Sequence, residues 1–215
     1  MGARIVEEAR VGPGETVMEI GPGKGALTEG LVRCVEEQKG RLILVELDDE
    51  LATDLVWRFR GRPRVEVIHR DILLVSPAEI TSYPADLKVI GNIPYNLTSR
   101  ILFHLLARPR PREILLMIQK EVADRILAEP GGKEYGALTI SVRAIAGVER
   151  VLSVPAEAFR PRPSVDSTVV RLKPFWPTRL EVKEEVRLRD LTRAVFQWRR
   201  KQLGKILRDH PDLRL

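Results

Sequence analysis

The chain has 215 residues, of which 44% are hydrophobic and 31% charged, and its formal net charge is +6. This composition is typical of a globular protein and excludes a disordered chain, and the sequence contains no apolar run of the roughly 18 residues that span a bilayer. The excess positive charge gives the chain an electrostatic reason to approach a polyanion. Because the first residues, MGARIVEEAR, lack the apolar stretch of a secretory signal, we expect a cytoplasmic protein.

Short apolar runs alternate with helical patterns along most of the chain. Five such runs predict strands, at residues 17–20, 41–45, 65–68, 87–90 and 114–118. Strands that alternate with helices predict a mostly parallel sheet covered on both faces, with ligand sites beyond the carboxyl ends of the strands. The sequence therefore predicts an α/β protein with a Rossmann-like fold.

The later part of the chain changes in character. Apolar segments at 138–144 and 169–172 flank a proline-rich connection, 154–163, which we expect to be an ordered loop within the same domain. From about Val186 the pattern predicts a basic helical segment. We expect a domain boundary near Pro177, with one domain over residues 1–177 and a short basic helical unit over 178–215.

A glycine-rich segment follows the first predicted strand. Gly21, Gly23 and Gly25 lie between a strand and a helix, where glycine lets the backbone approach a ligand and present amide hydrogens. Glu46, at the end of the next strand, is placed to accept hydrogen bonds from both ribose hydroxyls of a nucleoside. A tight turn without a ligand and a surface acid are the simpler alternatives.

A second acid follows the third predicted strand. Asp71 can accept a hydrogen bond from an adenine amine while Ile72 packs on the ring, although an aspartate here is equally suited to cap a turn. Together with the glycines and Glu46, this pattern describes one adenosine-bearing ligand and makes no provision for a second nucleotide. It favours S-adenosylmethionine over a dinucleotide.

The segment Gly91-Asn92-Ile93-Pro94-Tyr95-Asn96, after the fourth predicted strand, indicates the chemistry. An adenine amine is a poor nucleophile, so an enzyme must orient its nitrogen towards the methyl group. The Asn92 carboxamide and a carbonyl of the Ile93-Pro94 turn can accept both amine hydrogens, and Tyr95 can stack on the base. No strong general base is needed, since the methylated nitrogen loses its proton to water. The simpler alternative is a proline turn with an asparagine cap.

Metal chemistry has little support in the sequence. Cys34 is the single cysteine, and the histidines are His69, His104 and His210. This inventory predicts neither an internal disulfide nor a metal site.

Seven segments of the chain resemble the ribosomal RNA adenine dimethyltransferases of the KsgA type. They are EIGPGKGALTEGLV (19–32), VELDDELA (45–52), RDIL (70–73), GNIPYNLTSRIL (91–102), QKEVADRI (119–126), YGALTISV (135–142) and FRPRPSVDSTVVRL (159–172). The resemblance covers most of residues 19–172 and continues weakly through 196–207. The sequence lacks the amino-terminal Gly-Gln-x-Phe-Leu segment usual in the family, and its helical carboxyl-terminal part is shorter than usual.

The resemblance implies a class I S-adenosylmethionine-dependent methyltransferase that dimethylates N6 of two adjacent adenosines near the 3′ end of small-subunit ribosomal RNA. Asn92, Pro94 and Tyr95 are then the catalytic turn, and Phe159 is the aromatic that stacks with Tyr95 on an extruded adenine. The implied methyl-donor contacts are Glu19, Gly21, Gly23, Glu46, Leu47, Asp71, Ile72 and Asn92.

The implied partner is ribosomal RNA in an immature small subunit, bound by a monomer without a membrane or metal. Arg199, Arg200 and Lys201 are predicted to contact its phosphates without reading bases. A solvated helix face is the alternative for these three residues. For the whole chain, the alternatives are a large-subunit RNA methyltransferase of the erythromycin-resistance type, a non-catalytic ribosome-assembly factor that binds RNA and, more distantly, a nicotinamide-dependent oxidoreductase.

Overall fold

The computed structural model describes residues 1–160, 162–198 and 203–209. Helices in these ranges are α1 (Gly2–Ala9), α2 (Thr28–Glu37), α3 (Asp49–Arg58), α4 (Pro77–Ile80), α5 (Thr98–Leu105), α6 (Lys120–Leu127), α7 (Ala137–Arg143), α8 (Val182–Gln197) and α9 (Leu203–Asp209). Short 3₁₀ turns lie at Ile72–Leu74, Pro84–Asp86, Tyr95–Leu97 and Ala156–Ala158.

A single seven-stranded sheet forms the centre of the described structure. Its strands are β1 (Thr16–Ile20), β2 (Arg41–Glu46), β3 (Val65–His69), β4 (Leu87–Asn92), β5 (Glu113–Gln119), β6 (Ala146–Val154) and β7 (Ser167–Pro174). They are ordered β3-β2-β1-β4-β5-β7-β6, and β1 to β5 run parallel while β7 is antiparallel to both of its neighbours. The strand order reverses between β1 and β4, which is where open α/β sheets form ligand crevices.

Local sequence signals begin several of these elements. The Asp48 side chain accepts hydrogen bonds from the amides of Glu50 and Leu51 at the start of α3, at 3.0 and 2.9 Å. Ser76 and Glu79 form a capping box at α4, where Glu79 accepts from the Ser76 amide at 2.8 Å. Such caps satisfy amides that the first helical turn leaves without partners.

Apolar side chains cover the sheet on both faces, as helices on both sides require. One cluster joins β1, β2, β4 and β5 to α5, α6 and α7 through residues such as Met18, Ile43, Val89, Ile101, Leu116 and Val142. The opposite cluster joins these strands and β7 to α1 and α2 through residues such as Ile5, Val17, Leu31, Leu44, Leu115 and Val169. The near-continuous burial of β1, β2 and β4 is typical of central parallel strands.

The predicted α/β architecture and its five parallel strands are confirmed. Sequence analysis predicted neither β6 nor β7 as a strand, and in β6 charged Glu149 and Arg150 interrupt the apolar pattern at the edge of the sheet. It also placed Asn92 after the fourth strand, whereas Asn92 is the last residue of β4. The glycine loop does not lead directly into a helix, since residues 23–27 form turns and α2 begins at Thr28.

The helix α8 packs against α7 at the side of the sheet. Its Glu185 accepts a hydrogen bond from Arg108 at 2.6 Å and also pairs with the buried Arg110. On the facing surfaces, the hydroxyl oxygens of Ser141 and Thr192 lie 3.4 Å apart. These contacts fix α8 beside α5 and α7. Among the residues described, no helix combines the length and apolar character needed to cross a membrane.

Candidate active site

The loop after β1 carries three left-handed glycines. The φ angles of Gly21, Gly23 and Gly25 are +60°, +56° and +88°, a region in which other residues are strained. The Gly21 amide donates to the carbonyl of Val45 at 2.9 Å, so the loop is tied to the end of β2. Glycine is therefore required by the backbone conformation at each of the three positions.

The glycine loop and the end of β4 lie directly beside each other. Ile20 is paired with Gly91 in the β1–β4 register, and a Cβ placed on Gly21 would lie 3.9 Å from the backbone oxygen of Asn92. A Cβ on Gly91 would come within 3.1 Å of Ile20, so a larger residue would separate the two strands. A ligand held by the loop is thus within reach of the Asn92 turn.

Glu46, the last residue of β2, joins the glycine loop to the connection between β2 and α3. One carboxylate oxygen accepts the Gly23 amide at 3.0 Å, and the other accepts the amides of Leu47 and Asp48 at 2.9 and 3.1 Å. Because a carboxylate has about four acceptor positions, only one is left for a ligand. Both predicted ribose contacts can therefore form only if one of these backbone bonds opens.

Glu19 is a carboxyl group buried beneath the loop, with 2% of its surface exposed. Burial raises the pKa of Glu19 to about 7; the nearby Thr28 hydroxyl opposes this shift, and the charge of Glu46 adds to it. Neither Glu19 Oε2 nor Thr28 Oγ1 makes a hydrogen bond of normal geometry with a described residue. A buried oxygen without a hydrogen-bond partner destabilises the folded state unless a bound group provides that partner.

Three further residues predicted to contact the donor border the same edge of the sheet. Asp71 Oδ1 accepts the amide of Leu73 at 2.9 Å, so this aspartate acts as a cap, which was the simpler alternative for it. Ile72 is buried in the core, whereas 60% of the Leu47 surface is exposed. The structure brings all three to the carboxyl ends of β2 and β3.

The charges around the loop select among ligands. The charge of Glu46 raises the pKa of Glu19, and neither acid forms an ion pair with a described basic side chain. A diphosphate would bring negative charge towards these acids, whereas a ligand with cationic groups would be attracted. The pocket is therefore poorly suited to a dinucleotide.

The turn after β4 is anchored at Ile93, which is 2% exposed and lies in the core. The Pro94 carbonyl accepts the Leu97 amide at 3.1 Å and the Thr98 hydroxyl at 3.4 Å. This carbonyl is thus already engaged in starting the 3₁₀ turn and α5. Among the described residues, neither the exposed Asn92 carboxamide nor the Ile93 carbonyl accepts one of the turn's own hydrogen bonds, so both can accept from a ligand.

Tyr95 is held by a hydrogen bond that sequence analysis did not anticipate. Its hydroxyl oxygen lies 2.8 Å from the hydroxyl oxygen of Ser167, which is 1% exposed at the start of β7. The bond joins residues 72 positions apart and limits rotation of the Tyr95 ring.

The neighbouring Asp166 organises the second predicted aromatic. Its side chain accepts the Ala156 amide at 3.0 Å, and its carbonyl accepts the Lys120 amide at 2.9 Å. Ala156 begins the 3₁₀ turn that ends immediately before Phe159, which is half-buried against the α1 and α2 side of the sheet. Asp166 and Ser167 together hold the segments that carry Phe159 and Tyr95. Both residues lie in the FRPRPSVDS segment, which was the signal available in the sequence.

Removing the Ser167 hydroxyl should test this arrangement. We expect Ser167→Ala to lower turnover roughly tenfold with little change in donor affinity, because Tyr95 loses its fixed orientation. Tyr95→Phe should give a similar loss, and the double variant should be no worse than either single variant, as in a coupled pair.

Two controls accompany this cycle, measured by single-turnover methyl transfer and calorimetry. Ser167→Thr keeps a hydroxyl and should restore most activity, and Ser153→Ala, at an exposed position of β6, should have no effect. Additive losses from Ser167→Ala and Tyr95→Phe would contradict a positioning role for Ser167.

The predicted RNA contacts Arg199, Arg200 and Lys201 lie outside the described residues. Within the described ranges, no group of three His, Cys, Asp or Glu side chains is arranged to hold a metal ion.

Comparison with known proteins identifies the family. The model of the family described as ribosomal RNA adenine dimethylase matches residues 1–211. A protein of Xylella fastidiosa named ribosomal RNA small subunit methyltransferase A is 38% identical over 209 residues, which are 96% of this chain and 77% of that protein. A protein of the same name from Dehalococcoides mccartyi is 42% identical over 201 residues, 93% of this chain and 67% of the relative.

Solved structures of two enzymes share the fold, and the class I methyltransferase fold is thereby confirmed. A dimethyladenosine transferase from Plasmodium falciparum is 30% identical, with a TM-score of 0.81 over 96% of this chain and 72% of that one. The 23S rRNA methyltransferase ErmE is 28% identical, with a TM-score of 0.78 over 97% of this chain and 81% of that one. From the family match, the relatives and these structures together, the chain belongs to the ribosomal RNA adenine dimethylase family.

Proposed function

We propose that this protein transfers methyl groups from S-adenosylmethionine to N6 of adenosines in ribosomal RNA, dimethylating two adjacent adenosines near the 3′ end of the small-subunit RNA. The observation that carries the proposal is the close approach of the glycine loop to the Asn92 turn, since a Cβ placed on Gly21 would lie 3.9 Å from the backbone oxygen of Asn92. A methyl donor held by the loop and a base held by the turn would therefore lie side by side.

The residues around the loop fit S-adenosylmethionine. This donor, when bound, supplies an electrophilic methyl group on a sulfonium, and its ammonium group provides a second positive charge. Glu19 offers a buried oxygen without a partner, and Glu46 keeps one acceptor position for the ribose. Leu47, Asp71 and Ile72 complete the proposed adenosine contacts.

The Asn92 turn is proposed to orient the target amine. The Asn92 carboxamide oxygen accepts one N6 hydrogen and the Ile93 carbonyl accepts the other, which directs the nitrogen lone pair towards the glycine loop. The role of Pro94 is to fix the turn, since its own carbonyl is engaged with Leu97 and Thr98. The methylated nitrogen is acidic and releases its proton to water, so no histidine is required here.

Two aromatic side chains are proposed to hold the extruded base. Tyr95 is fixed by Ser167, and Phe159 follows a turn fixed by Asp166. Unstacking a base costs a few kcal/mol, and stacking on aromatic faces returns about 1–3 kcal/mol per contact. The base is thereby held out of the helix where N6 can reach the methyl group.

Alanine substitutions at these aromatics should separate base binding from donor binding. We expect Tyr95→Ala and Phe159→Ala each to lower turnover by about 10- to 100-fold while donor affinity changes less than threefold. Calorimetry with S-adenosylmethionine and single-turnover methyl transfer measure the two effects. Phe175→Ala is a control at an aromatic that stacks on Arg179. A loss mainly in donor affinity would contradict the stacking role.

The likeness to ErmE makes large-subunit RNA the second candidate substrate. The relatives at 38% and 42% identity are named for the small subunit, and these identities exceed the 28% of ErmE. The test is incubation of the purified protein with immature small subunits, and separately with large-subunit RNA, in the presence of labelled donor. Nucleoside analysis should find N6-dimethyladenosine in the small-subunit RNA. Label confined to large-subunit RNA would overturn the assignment, and no label in either would leave only an RNA-binding role.

We further propose a division near Pro177 into a methyltransferase domain, 1–177, and a short basic helical unit, 178–215, that contributes to RNA binding. The positive charge of the tail and its place after the last strand support this division. We propose that the protein acts as a monomer in the cytoplasm, because one chain supplies every proposed site residue and the substrate matures there.

A further inference from the structure

A cavity of about 250 Å³ lies between α5, α6, α7 and α8, apart from the donor and base sites. Every charged residue that lines it is an arginine. Its lining is Ser99, Phe103, Arg125, Ala137, Leu138, Ser141, Arg189 and Arg193. Three arginines and two serines therefore line a space large enough for a phosphate.

Arg125, Arg189 and Arg193 form no ion pair with any described residue, in contrast to other arginines close by. Glu129, which lies one turn beyond Arg125, pairs instead with Arg143 at 3.0 Å. Asp124 pairs with Lys120 and Arg150, at 2.6 and 2.7 Å. Neither of these acids lines the cavity, and nor does any other Asp or Glu, so its lining carries a net positive charge.

A neighbouring cavity shows the ordinary arrangement. It has a volume of about 420 Å³, lies between α5, α7 and α8, and shares Arg189 with the smaller one. It also contains Arg108, but there Glu185 pairs with the guanidinium at 2.6 Å. The smaller cavity has no acid in the position that Glu185 takes in its neighbour. Because like charges without a counterion repel one another, a bound anion would relieve this repulsion.

The smaller cavity borders the segment that carries the Asn92 turn. Ser99 is four residues after Tyr95, within the first turn of α5, and the rise per residue of helical backbone places the two Cα atoms within roughly 8 Å. The Thr98 hydroxyl, beside Ser99, is bonded to the Pro94 carbonyl. A group bound at Ser99 is therefore one helical turn from the proposed base site.

We propose that this arginine cavity binds a phosphodiester of the substrate RNA next to the extruded adenosine. The inference rests on the proposed function and deepens it. Guanidinium groups present parallel donors that match two phosphate oxygens, and the Ser99 hydroxyl adds a third donor. Holding the backbone beside the target would keep the base from returning to its stack and fix its direction of entry.

The test compares two double variants with equal loss of charge. Arg189→Gln with Arg193→Gln removes two guanidinium groups from the cavity, and Arg125→Gln removes the third separately. The control is Arg33→Gln with Arg60→Gln, at exposed positions on α2 and just after α3, away from α5 to α8. RNA affinity is measured over a range of salt concentrations, together with the KM for RNA and calorimetry of donor binding.

We expect the cavity double variant to bind RNA about tenfold more weakly than the control and to raise the KM for RNA accordingly. Its salt dependence should fall by roughly 0.7 in logarithmic slope for each RNA phosphate that the protein no longer neutralises. Arg125→Gln should show the same direction with a smaller size. Donor affinity should be unchanged in all variants, which shows that the methyltransferase domain remains folded.

Equal RNA affinity and equal salt slope in the cavity and control variants would overturn the proposal. The proposal would also fail if inorganic phosphate stabilised the protein through Arg189 and Arg193 while RNA affinity did not depend on these arginines. The cavity would then bind free anions only. The proposed function is tested independently by the wild-type protein: if wild type methylates RNA and the cavity variants match the control, the function stands and the phosphate site fails.

Discussion

The Asn92→Ala variant is expected to lose about 10³-fold in the rate of methyl transfer while keeping its fold. The carboxamide is one of two acceptors proposed for the adenine amine, and removing a comparable oriented group from an enzyme costs about 10²- to 10³-fold. The loss should reach the upper part of this range because the amine depends on these acceptors for both its direction and its electron density. Single-turnover transfer from labelled donor measures it, and circular dichroism checks the fold.

Two further substitutions sharpen this experiment. Asn92→Asp keeps an acceptor oxygen and should retain more activity than the alanine variant. Asn96→Ala, four residues along in the same exposed segment, removes a similar carboxamide and should leave turnover near normal. Because Asn92 is also a proposed donor contact, calorimetry must show that donor affinity falls by far less than the rate. Near-normal turnover of Asn92→Ala would remove Asn92 from the reaction.

The position of the site could be predicted from the sequence because its parts are local. Each of Gly21, Glu46, Asp71 and Asn92 lies at or just after the end of a strand whose apolar run is easily recognised. Parallel strands bring their carboxyl ends to one edge of a sheet, so the fold alone gathers these residues. Their sequence separation is therefore no obstacle to predicting that they meet.

The interactions within the site depend on pairings that no local pattern reveals. The bond between Tyr95 and Ser167 requires β7 to enter the sheet antiparallel beside β5, and the strand β6 that flanks it has charged residues at its centre. The saturation of Glu46 by three backbone amides depends on the path of the glycine loop. These two findings change what is proposed for Tyr95 and Glu46, but the location of the site in the fold stays as predicted.

The arginine cavity illustrates the same limit on a larger scale. The spacing of Arg189 and Arg193 places them on one face of a helix, which the sequence does indicate. Their meeting with Arg125 and Ser99 depends on how α8 packs against α7, through contacts between residues about 50 positions apart such as Ser141 and Thr192. Tertiary packing, rather than helical periodicity, creates the concentration of charge.

The second large effect is expected at Glu19. In the folded protein its pKa is about 7, compared with an ordinary value of 4.5, because the charged carboxylate is buried. The folded state thus holds a proton that the unfolded state releases between these two values. The contribution of this group to folding is greatest below pH 4.5 and declines as the pH rises through about 7, by about 3 kcal/mol in total.

Glu19→Gln should remove this decline, since glutamine does not ionise. In urea unfolding at several pH values, the free energy of unfolding of the variant should rise relative to that of wild type between about pH 5 and about pH 8, by up to about 3 kcal/mol. The matched control is Glu37→Gln, at an exposed position on α2, which should follow the wild-type curve. Parallel curves for wild type and Glu19→Gln would show that the carboxyl does not titrate in this range.

Donor binding should change in the opposite sense to stability. A cationic donor group can pair with Glu19 only after the carboxyl has lost its proton, so wild-type affinity for S-adenosylmethionine should fall up to about tenfold per pH unit below about 7. Glu19→Gln should bind the donor at least about tenfold more weakly than wild type at about pH 8 and lose this dependence on pH. At this pH, Glu19→Gln should therefore raise the free energy of unfolding and lower donor affinity, as expected for a carboxylate that serves ligand binding. If the carboxylate served only the fold, the same substitution would lower the free energy of unfolding and leave donor affinity unchanged.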